Sequence, residues 1–292
     1  MFSALIDQLR STCITAYRTA YRTVKRTVKR ASARHVPLID EALWRQASKH
    51  YIFMQRLSKE ENRRLRLIAS DFLSRKKFSG AAEFEITALM KVQIAAQACI
   101  LILELGVSQF DGWSDIVVYP GKFATTREVT DHAGVVHTTR DALAGEAWLG
   151  GPVVLSYEDV ASVDHQRWHY SFSNAHNVVI HEFAHKLDMR NGDANGFPPL
   201  HKGMSAAAWK HDFMAAYLDF CKRVDHADEY EHLDGGASLN ALPIDPYGSE
   251  SPAEFFAVAS ETFFERPQSL ATGYPAVYAQ LKAFYKQDPL VR

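Results

Sequence analysis

The sequence is poor in cysteine and has no long uninterrupted apolar run, and each shortage excludes a class of protein. Its 292 residues include only Cys13, Cys99 and Cys221, which are far apart and form no C-x-x-C pair. This pattern argues against a disulfide framework and favours a reducing compartment, so we expect a cytoplasmic location. No apolar segment of the secretory type follows the first residues. The most apolar stretch, residues 86–105, is interrupted by charged and amide side chains and predicts a buried helix, not a membrane span.

The chain also lacks an overall excess of charge. Its 33 Lys and Arg against 34 Asp and Glu give a formal charge of -1, so a polyanion-binding surface and direct nucleic-acid binding are not expected. Residues 1–35 nevertheless hold eight basic residues and one acid, a net +7, which leaves -8 on the remainder. A four-residue repeat, YRTA-YRTV-KRTV-KRAS, occupies residues 17–32. It is typical of a solvated extension, of a basic amphipathic helix on a membrane surface or another protein, or of a transit peptide.

The rest of the composition, 47% apolar and 23% charged, is that of an ordinary folded protein. We predict a basic extension over residues 1–36 and a single α+β domain over residues 37–292. Apolar periodicity and end signals predict helices over residues 57–78, 84–105, 174–190 (capped by Ser173 or Asn174), 206–223, 252–264 and 275–285. A small sheet is predicted from the β-rich segments 115–119, 135–138 and 152–157, and a loop over 225–248.

The helix predicted over residues 174–190 contains the pattern H-E-x-x-H as His181, Glu182 and His185. Two histidines four residues apart lie on one helix face, one turn apart, so both imidazoles can bind one Zn²⁺. Glu182 is rotated around the helix and can act on a zinc-activated water without binding the metal. The competing interpretation is a surface helix with two unrelated histidines, which the apolar residues around the motif disfavour.

A catalytic zinc site needs a third protein ligand, and spacing alone leaves that ligand open. The metzincin class would need Gly at position 188 and His at position 191, where this chain has Asp188 and Asn191, so that class is excluded. The candidates downstream are His201, His211, Glu229, Glu231, His232, Glu250, Glu254 and Glu261.

The segment IDPYGSESPAEFFAVASETFF, residues 244–264, is the most informative one downstream. Ser251 and Glu254 have the spacing of a capping box at a helix start. Alternatively, Glu254 and Glu261 share one face of an apolar helix, where a carboxylate needs a partner or a metal. Tyr247 precedes them in a turn, and its hydroxyl can donate to a developing oxyanion. Asp188 either orients a ligand imidazole or faces solvent at its helix end.

Several separated motifs resemble, in their order along the chain, the Mlc titration factor A family of bacterial zinc metallopeptidases. They are LELGVSQFDGWSDIVVYPGKF, LGGPVVLSYEDV, HEFAHKLDMRNGD, a tryptophan-containing helix, IDPYGSESPAEFFAVASETFF and FYKQDPL. The resemblance covers roughly residues 52–290 and does not include the basic segment 1–35. The spacing from tyrosine to glutamate is also similar to that in the catalytic domain of anthrax lethal factor.

The resemblance implies a zincin-like domain, mostly helical, with a small sheet beside the H-E-x-x-H helix and one Zn²⁺ per chain. It implies a gluzincin-like ligand set of His181, His185 and Glu254, with Glu182 as general base and Tyr247 as transition-state stabiliser. The resemblance leaves the role of Glu261 open. Orienting a metal ligand is one candidate role for it.

The same resemblance implies an enzyme that hydrolyses peptide substrates, of aminopeptidase type, and a regulatory role through binding an Mlc-like, glucose-responsive transcriptional repressor. The alternative is a zinc-binding anti-repressor whose peptidase activity is secondary, recruited to a membrane surface by the N-terminal segment.

Overall fold

The computed structural model describes residues 36–81, 83–130, 136–161, 177–234, 239 and 241–291. Over these residues the chain is mostly helical with one small mixed sheet, which confirms the predicted α+β class. The basic segment 1–35, with its predicted membrane or partner contact, lies outside the described residues. Among the described helices, none combines the length and the apolar character that crossing a membrane requires.

Helices make up most of the described chain, and their ends follow local capping chemistry. The helices are α1 (Glu41–Ser48), α2 (Ile52–Gln55), α3 (Lys59–Arg75), α4 (Ala88–Ile100), α5 (Tyr157–Ala161), α6 (Val178–Asp188), α7 (Ala206–Asp234), α8 (Pro252–Glu265), α9 (Pro267–Gly273) and α10 (Pro275–Tyr285). Short 3₁₀ turns lie at Val107–Phe110, Met189–Asn191 and Pro246–Ser249. The predicted capping box opens α3, because Ser58 and Glu61 exchange side-chain and backbone hydrogen bonds.

The strands form a four-stranded sheet and a separate hairpin. The strands are β1 (Lys77–Gly80), β2 (Asp115–Tyr119), β3 (Phe123–Thr130), β4 (Val136–Leu143), β5 (Gly145–Ala147) and β6 (Val153–Ser156). The sheet has the order β1-β2-β6-β5, with β1, β2 and β6 parallel and β5 antiparallel to β6. Strands β3 and β4 form the antiparallel hairpin. Strand β5 is therefore an outer strand of the sheet.

Several element boundaries differ from the sequence prediction. Residues 77 and 78, predicted as the end of a helix, belong to β1, because α3 ends at Arg75 and the following residues pair with β2. Helix α7 continues to Asp234 through part of the segment predicted as a loop. The polar residues after position 225 include no glycine or proline before Gly235, so nothing in the backbone ends the helix earlier.

The H-E-x-x-H helix is shorter than predicted. Helix α6 begins at Val178, and its N-cap is Asn177, whose side chain accepts a hydrogen bond from the Ile180 N–H at 2.9 Å. Ser173 and Asn174, the predicted caps, lie outside the described residues. The prediction was wrong here because several consecutive residues are good N-caps and spacing alone does not select one.

Helix α6 is buried along its whole length, and an aromatic cluster anchors it. The Phe183 ring lies 5.0 Å from that of Phe110, 5.6 Å from that of Trp113 and 5.7 Å from that of Phe72, measured between centroids. The helix also packs against α4, α8, β5 and β6. A helix of 11 residues is marginal by itself, so this packing is what sets the directions of its side chains.

Helix α8 is held at both ends. At its start, the Ser251 hydroxyl accepts a hydrogen bond from the Glu254 N–H at 3.2 Å. At its end, the Arg56 guanidinium donates to the carbonyls of Phe264 and Glu265 at 2.8 and 3.0 Å. These bonds satisfy backbone groups that a helix leaves unpaired at its ends. Helix α8 is thereby fixed beside α6, and the two helices face each other at the cluster described next.

Candidate metal centre

The side chains of His181, His185 and Glu254 meet between α6 and α8. The Nε2 atoms of the two histidines are 3.1 Å apart, and Oε2 of Glu254 lies 2.9 Å from that of His181 and 3.2 Å from that of His185. Two tetrahedral ligands at about 2.0–2.1 Å from a metal lie about 3.3 Å from each other. The three atoms therefore have nearly the spacing of one face of a tetrahedral metal site, and they form a group that could hold a metal ion.

Glu261 determines how His181 faces this triangle. Its Oε1 lies 2.7 Å from His181 Nδ1, and its Oε2 accepts the Asn177 N–H at 2.7 Å. A carboxylate at Nδ1 keeps a proton on that nitrogen, so Nε2 presents its lone pair to the other two atoms. One carboxylate thus sets the tautomer of His181 and binds the backbone at the start of α6.

The donor set fits a cation. Glu182, Glu254 and Glu261 place three carboxylates around two imidazoles in a largely buried region. Burial alone lowers the pKa of His181, but hydrogen bonds with Glu254 and Glu261 outweigh it and raise that pKa well above its ordinary value. Burial alone raises the pKa of Glu254, but hydrogen bonds with His181 and His185 lower it overall. Carboxylates thus contact both imidazoles, and such an arrangement favours positive charge between them, which a divalent metal ion supplies.

Glu182 lies on the side of α6 that faces β5 and is only 5% exposed. Burial is the main cause that raises the pKa of Glu182 to about 7, although the neighbouring histidines oppose it. At Gly145 of β5, a Cβ atom would lie 2.5 Å from Oε1 of Glu182 and 2.6 Å from Cγ2 of Val178. Only glycine therefore leaves space for the Glu182 carboxylate in this position.

Gly145 was not predicted as part of the site. Gly145 lies between two of the predicted β-rich segments, and only the structure shows that it belongs to a strand, where a glycine often marks a close approach of another group. Its partner on α6 becomes apparent only once the sheet and the helix are packed together.

Tyr247 lies at the exposed side of the cluster. Its ring centroid is 5.9 Å from that of His181, and the residue is 37% exposed. The turn that carries it is held by Asp245, whose carboxylate accepts the Tyr247 N–H at 2.9 Å, and by Tyr217, whose hydroxyl donates to the Ser249 carbonyl at 3.1 Å. The structure therefore places the Tyr247 ring beside that of His181.

Asp188 is fully buried, so the prediction that it faces solvent is wrong. Its Oδ2 accepts the N–H groups of Asn195 and Gly196, both at 2.7 Å. Its Oδ1 and the Nδ1 of His185 are both buried and find no hydrogen-bond partner among the described residues. The two atoms belong to residues three apart on α6, and the His185 charge lowers the pKa of Asp188 against the larger effect of burial. Asp188 thus supports the following loop and lies close to the His185 side of the cluster.

Lys186 connects α6 to the turn between β5 and β6. Its ammonium donates to the carbonyls of Trp148 and Gly151 at 2.5 and 2.8 Å and lies 4.7 Å from the centre of the Trp113 ring. Burial lowers the pKa of Lys186 to about 8. Strand β5 therefore runs beside α6 from the contact of Gly145 with Glu182 to this clamp at Lys186.

The other candidate ligands whose side chains the structure describes do not join the three-atom cluster. The His201 ring donates to the Phe284 carbonyl at 2.7 Å, and His211, Glu229 and Glu250 are exposed. The side chains of Glu231 and His232 are outside the part that the structure describes. The two interpretations of Glu254 are both partly right, because Ser251 caps its N–H while its carboxylate turns to the histidines.

The comparisons with known proteins agree with this site. The family model described as glucose-regulated metallo-peptidase M90 matches residues 23–286. The chain therefore belongs to this metallopeptidase family. The match begins at residue 23, upstream of the motifs that carried the sequence resemblance. Relatives named Mlc titration factor A, which confirm the predicted family, occur in Klebsiella pneumoniae (strain 342), Escherichia fergusonii and Salmonella gallinarum.

These relatives are similar over most of their length. The Klebsiella protein is 36% identical over 253 residues, which cover 86% of this chain and 88% of the relative. The Escherichia fergusonii protein is 35% identical over 261 residues, or 89% and 91%. The Salmonella gallinarum protein is 38% identical over 240 residues, or 81% and 83%.

The convergence of acceptor atoms predicts that a divalent metal stabilises the fold. Removing metal with a chelator should lower the melting temperature, because the ligand atoms then repel one another, and adding metal back should restore it. Calorimetry with and without chelator measures the shift. In Glu254→Ala the shift should shrink strongly, whereas Glu250→Ala, at an exposed position outside the cluster, should keep it. An equal shift in Glu254→Ala and the parent would show that metal binds elsewhere.

Proposed function

We propose that this metallopeptidase-type protein is a zinc-dependent peptidase that holds one Zn²⁺ per chain through His181, His185 and Glu254. The observation that carries the proposal is the meeting of these three ligands beside the buried carboxylate of Glu182. Two imidazoles and a carboxylate at tetrahedral spacing are a ligand set that suits zinc. The chemistry that Zn²⁺ supplies in such a site is Lewis acidity, which polarises a carbonyl and lowers the pKa of water.

Glu182 acts as the general base in this proposal. Its carboxylate takes a proton from the attacking water and returns it to the leaving amine. A pKa near 7 suits both steps at neutral pH, because the group can accept and release a proton with little cost. The absence of a side chain at Gly145 leaves the carboxylate the space to reach the water.

The neighbouring carboxylates hold the ligands in place. Glu261 keeps His181 in the tautomer that presents Nε2, and Asp188 holds the loop that follows α6 through the N–H groups of Asn195 and Gly196. Tyr247 is placed beside His181 at the exposed side, where its hydroxyl donates to the oxyanion as the carbonyl becomes tetrahedral. In this proposal Tyr247 therefore acts on the reacting carbonyl, whereas Glu261 acts on a metal ligand.

A peptide substrate suits the geometry of β5. This strand is the outer one of the sheet, and its outward edge pairs with no strand among the described residues. An extended peptide can add to such an edge through backbone hydrogen bonds, which bring its scissile bond alongside Glu182. The aminopeptidase type of cleavage is proposed from the sequence resemblance.

Removing the base tests the mechanism. Glu182→Gln keeps the shape of the side chain but cannot accept the proton, so kcat on a chromogenic aminoacyl or peptidyl substrate should fall by about 10²–10⁴-fold. Metal analysis should still find about one zinc per chain. Glu229→Gln, an exposed position on α7, is the matched control and should retain full activity. Peptide hydrolysis by Glu182→Gln at the parental rate would refute the assignment.

The close approach of β5 gives a second test. A methyl group in Gly145→Ala must displace the Glu182 carboxylate, so kcat should fall by about 10–100-fold while zinc remains bound. Gly121→Ala is the matched control, because its Cβ would meet only the flexible Glu158 carboxylate, at 3.1 Å. Unchanged kcat in Gly145→Ala would mean that the position of Glu182 is not set by β5.

A second function is suggested by the name of the relatives. We propose that the chain also binds an Mlc-like, glucose-responsive transcriptional repressor, and that in the alternative case this binding is primary and peptide hydrolysis secondary. Co-elution of full-length protein with Mlc in gel filtration tests the interaction. Glu182→Gln should bind as the parent does, since binding needs no proton transfer. Separate elution of both the parent protein and Glu182→Gln from Mlc would remove this function.

Cytoplasmic location and membrane recruitment by residues 1–36 stay predictions.

A further inference from the structure

A cleft of about 520 Å³ lies between α1, α2 and the start of α3, and it shares no lining residue with the metal cluster. Its volume is within the range of about 300–1,000 Å³ that small-molecule sites occupy in proteins. The proposed peptidase mechanism uses none of its residues. The cleft is therefore a separate feature that needs its own explanation.

The rim of this cleft is strongly basic. Five basic side chains and one carboxylate, that of Glu41, line it; the basic ones are Arg45, Lys49, Lys59, Arg63 and Arg66. The carboxylate pairs with Arg45 and Arg66, and Arg63 pairs with the nearby Glu60. Lys49 and Lys59 have no acidic side chain within ion-pair distance among the described residues. Because residues 36–292 together carry -8, this concentration of positive charge opposes the charge of the surrounding body.

The floor of the cleft is apolar and rigid. Trp44 and Met54 are almost fully buried beneath the rim, and Leu57 is partly buried beside them. The Trp44 indole N–H donates to Oδ1 of Asn62 at 2.9 Å, which fixes the orientation of the ring. A ligand in this cleft therefore meets an apolar surface below and ammonium and guanidinium groups around the edge.

We propose that the cleft binds a small organic phosphate, with its apolar body on the floor and its phosphate groups against Lys49, Lys59 and Arg63. Lysine offers a compact charge and arginine a planar fork, and both bind phosphate oxygens through charge-assisted hydrogen bonds. A concave surface of one sign concentrates ligands of the opposite sign. The segment 1–35 carries +7 and is repelled by the same charges, so it is a poor occupant.

ATP is a suitable probe because it combines a planar body with several phosphates. Calorimetric titration of the full-length protein should show saturable binding of ATP below about 1 mM at low salt. Adenosine and inorganic triphosphate should each bind at least about tenfold more weakly, because each lacks one half of the interaction, and added salt should weaken ATP binding. Failure of ATP to bind would overturn the proposal. Triphosphate binding as tight as that of ATP would exclude an organic ligand on the floor.

Variants locate the binding. Charge reversal in the double variant Lys49→Glu, Lys59→Glu should weaken ATP binding by at least about tenfold. The fold should persist, because Lys59 starts α3, where an acidic residue is favourable. The matched control is Lys210→Glu with Lys222→Glu on exposed positions of α7, which should bind ATP as the parent does.

Glu254→Gln separates this cleft from the metal cluster, which could itself attract phosphate. It should retain the parental ATP affinity. Loss of ATP binding in Glu254→Gln, or its retention after charge reversal at Lys49 and Lys59, would place the ligand elsewhere and disprove the proposal.

Discussion

The carboxylate of Glu261 joins the two helices on which the candidate metal centre depends. One oxygen binds the backbone N–H at the start of α6, and the other binds the imidazole of His181. Seven residues earlier on α8, Glu254 meets the same imidazole from its opposite side. His181 is thus held between two carboxylates of one helix, and its direction leaves His185 in position to complete the triangle. A helix of ordinary amphipathic design would place none of these charges in its buried face.

Helix α6 carries opposite electrostatic environments on its two sides. Towards α8, acidic side chains surround imidazoles and stabilise positive charge. Towards the β5–β6 turn, Lys186 is the charged group, and carbonyl oxygens and the Trp113 ring stabilise it. The Lys76 ammonium lies over the same ring at 3.4 Å and donates to the Trp113 and Phe110 carbonyls, so Trp113 stands between two lysines. Buried charges are costly unless paired or hydrogen-bonded, and each of these is compensated by local geometry.

Local rules predicted what depends on neighbours in sequence. The two histidines share a face because four residues make about one helical turn, and the capping box at Ser58 formed because its partners are three residues apart. The same rules gave wrong predictions where the partners of a residue are distant in the sequence. Residues 77 and 78 became part of a strand because β2 lies beside them, and a helical pattern could not report that. The predicted N-cap of α6 was wrong because spacing alone does not select among residues that are good caps.

The sequence alone predicted the histidine pair and the adjacent carboxylate and identified the family, because these depend on helical spacing and on ordered motifs. It left the third ligand among eight residues, until the resemblance favoured Glu254. Only the tertiary structure brought the Glu254 carboxylate to the histidines while its N–H stayed capped, buried Asp188, and placed Gly145 against Glu182. The tertiary structure also brought basic residues at the end of α1 and in the first half of α3 around one cleft. These features depend on the packing of separate elements, and no local pattern encodes the distance between side chains that lie far apart in the chain.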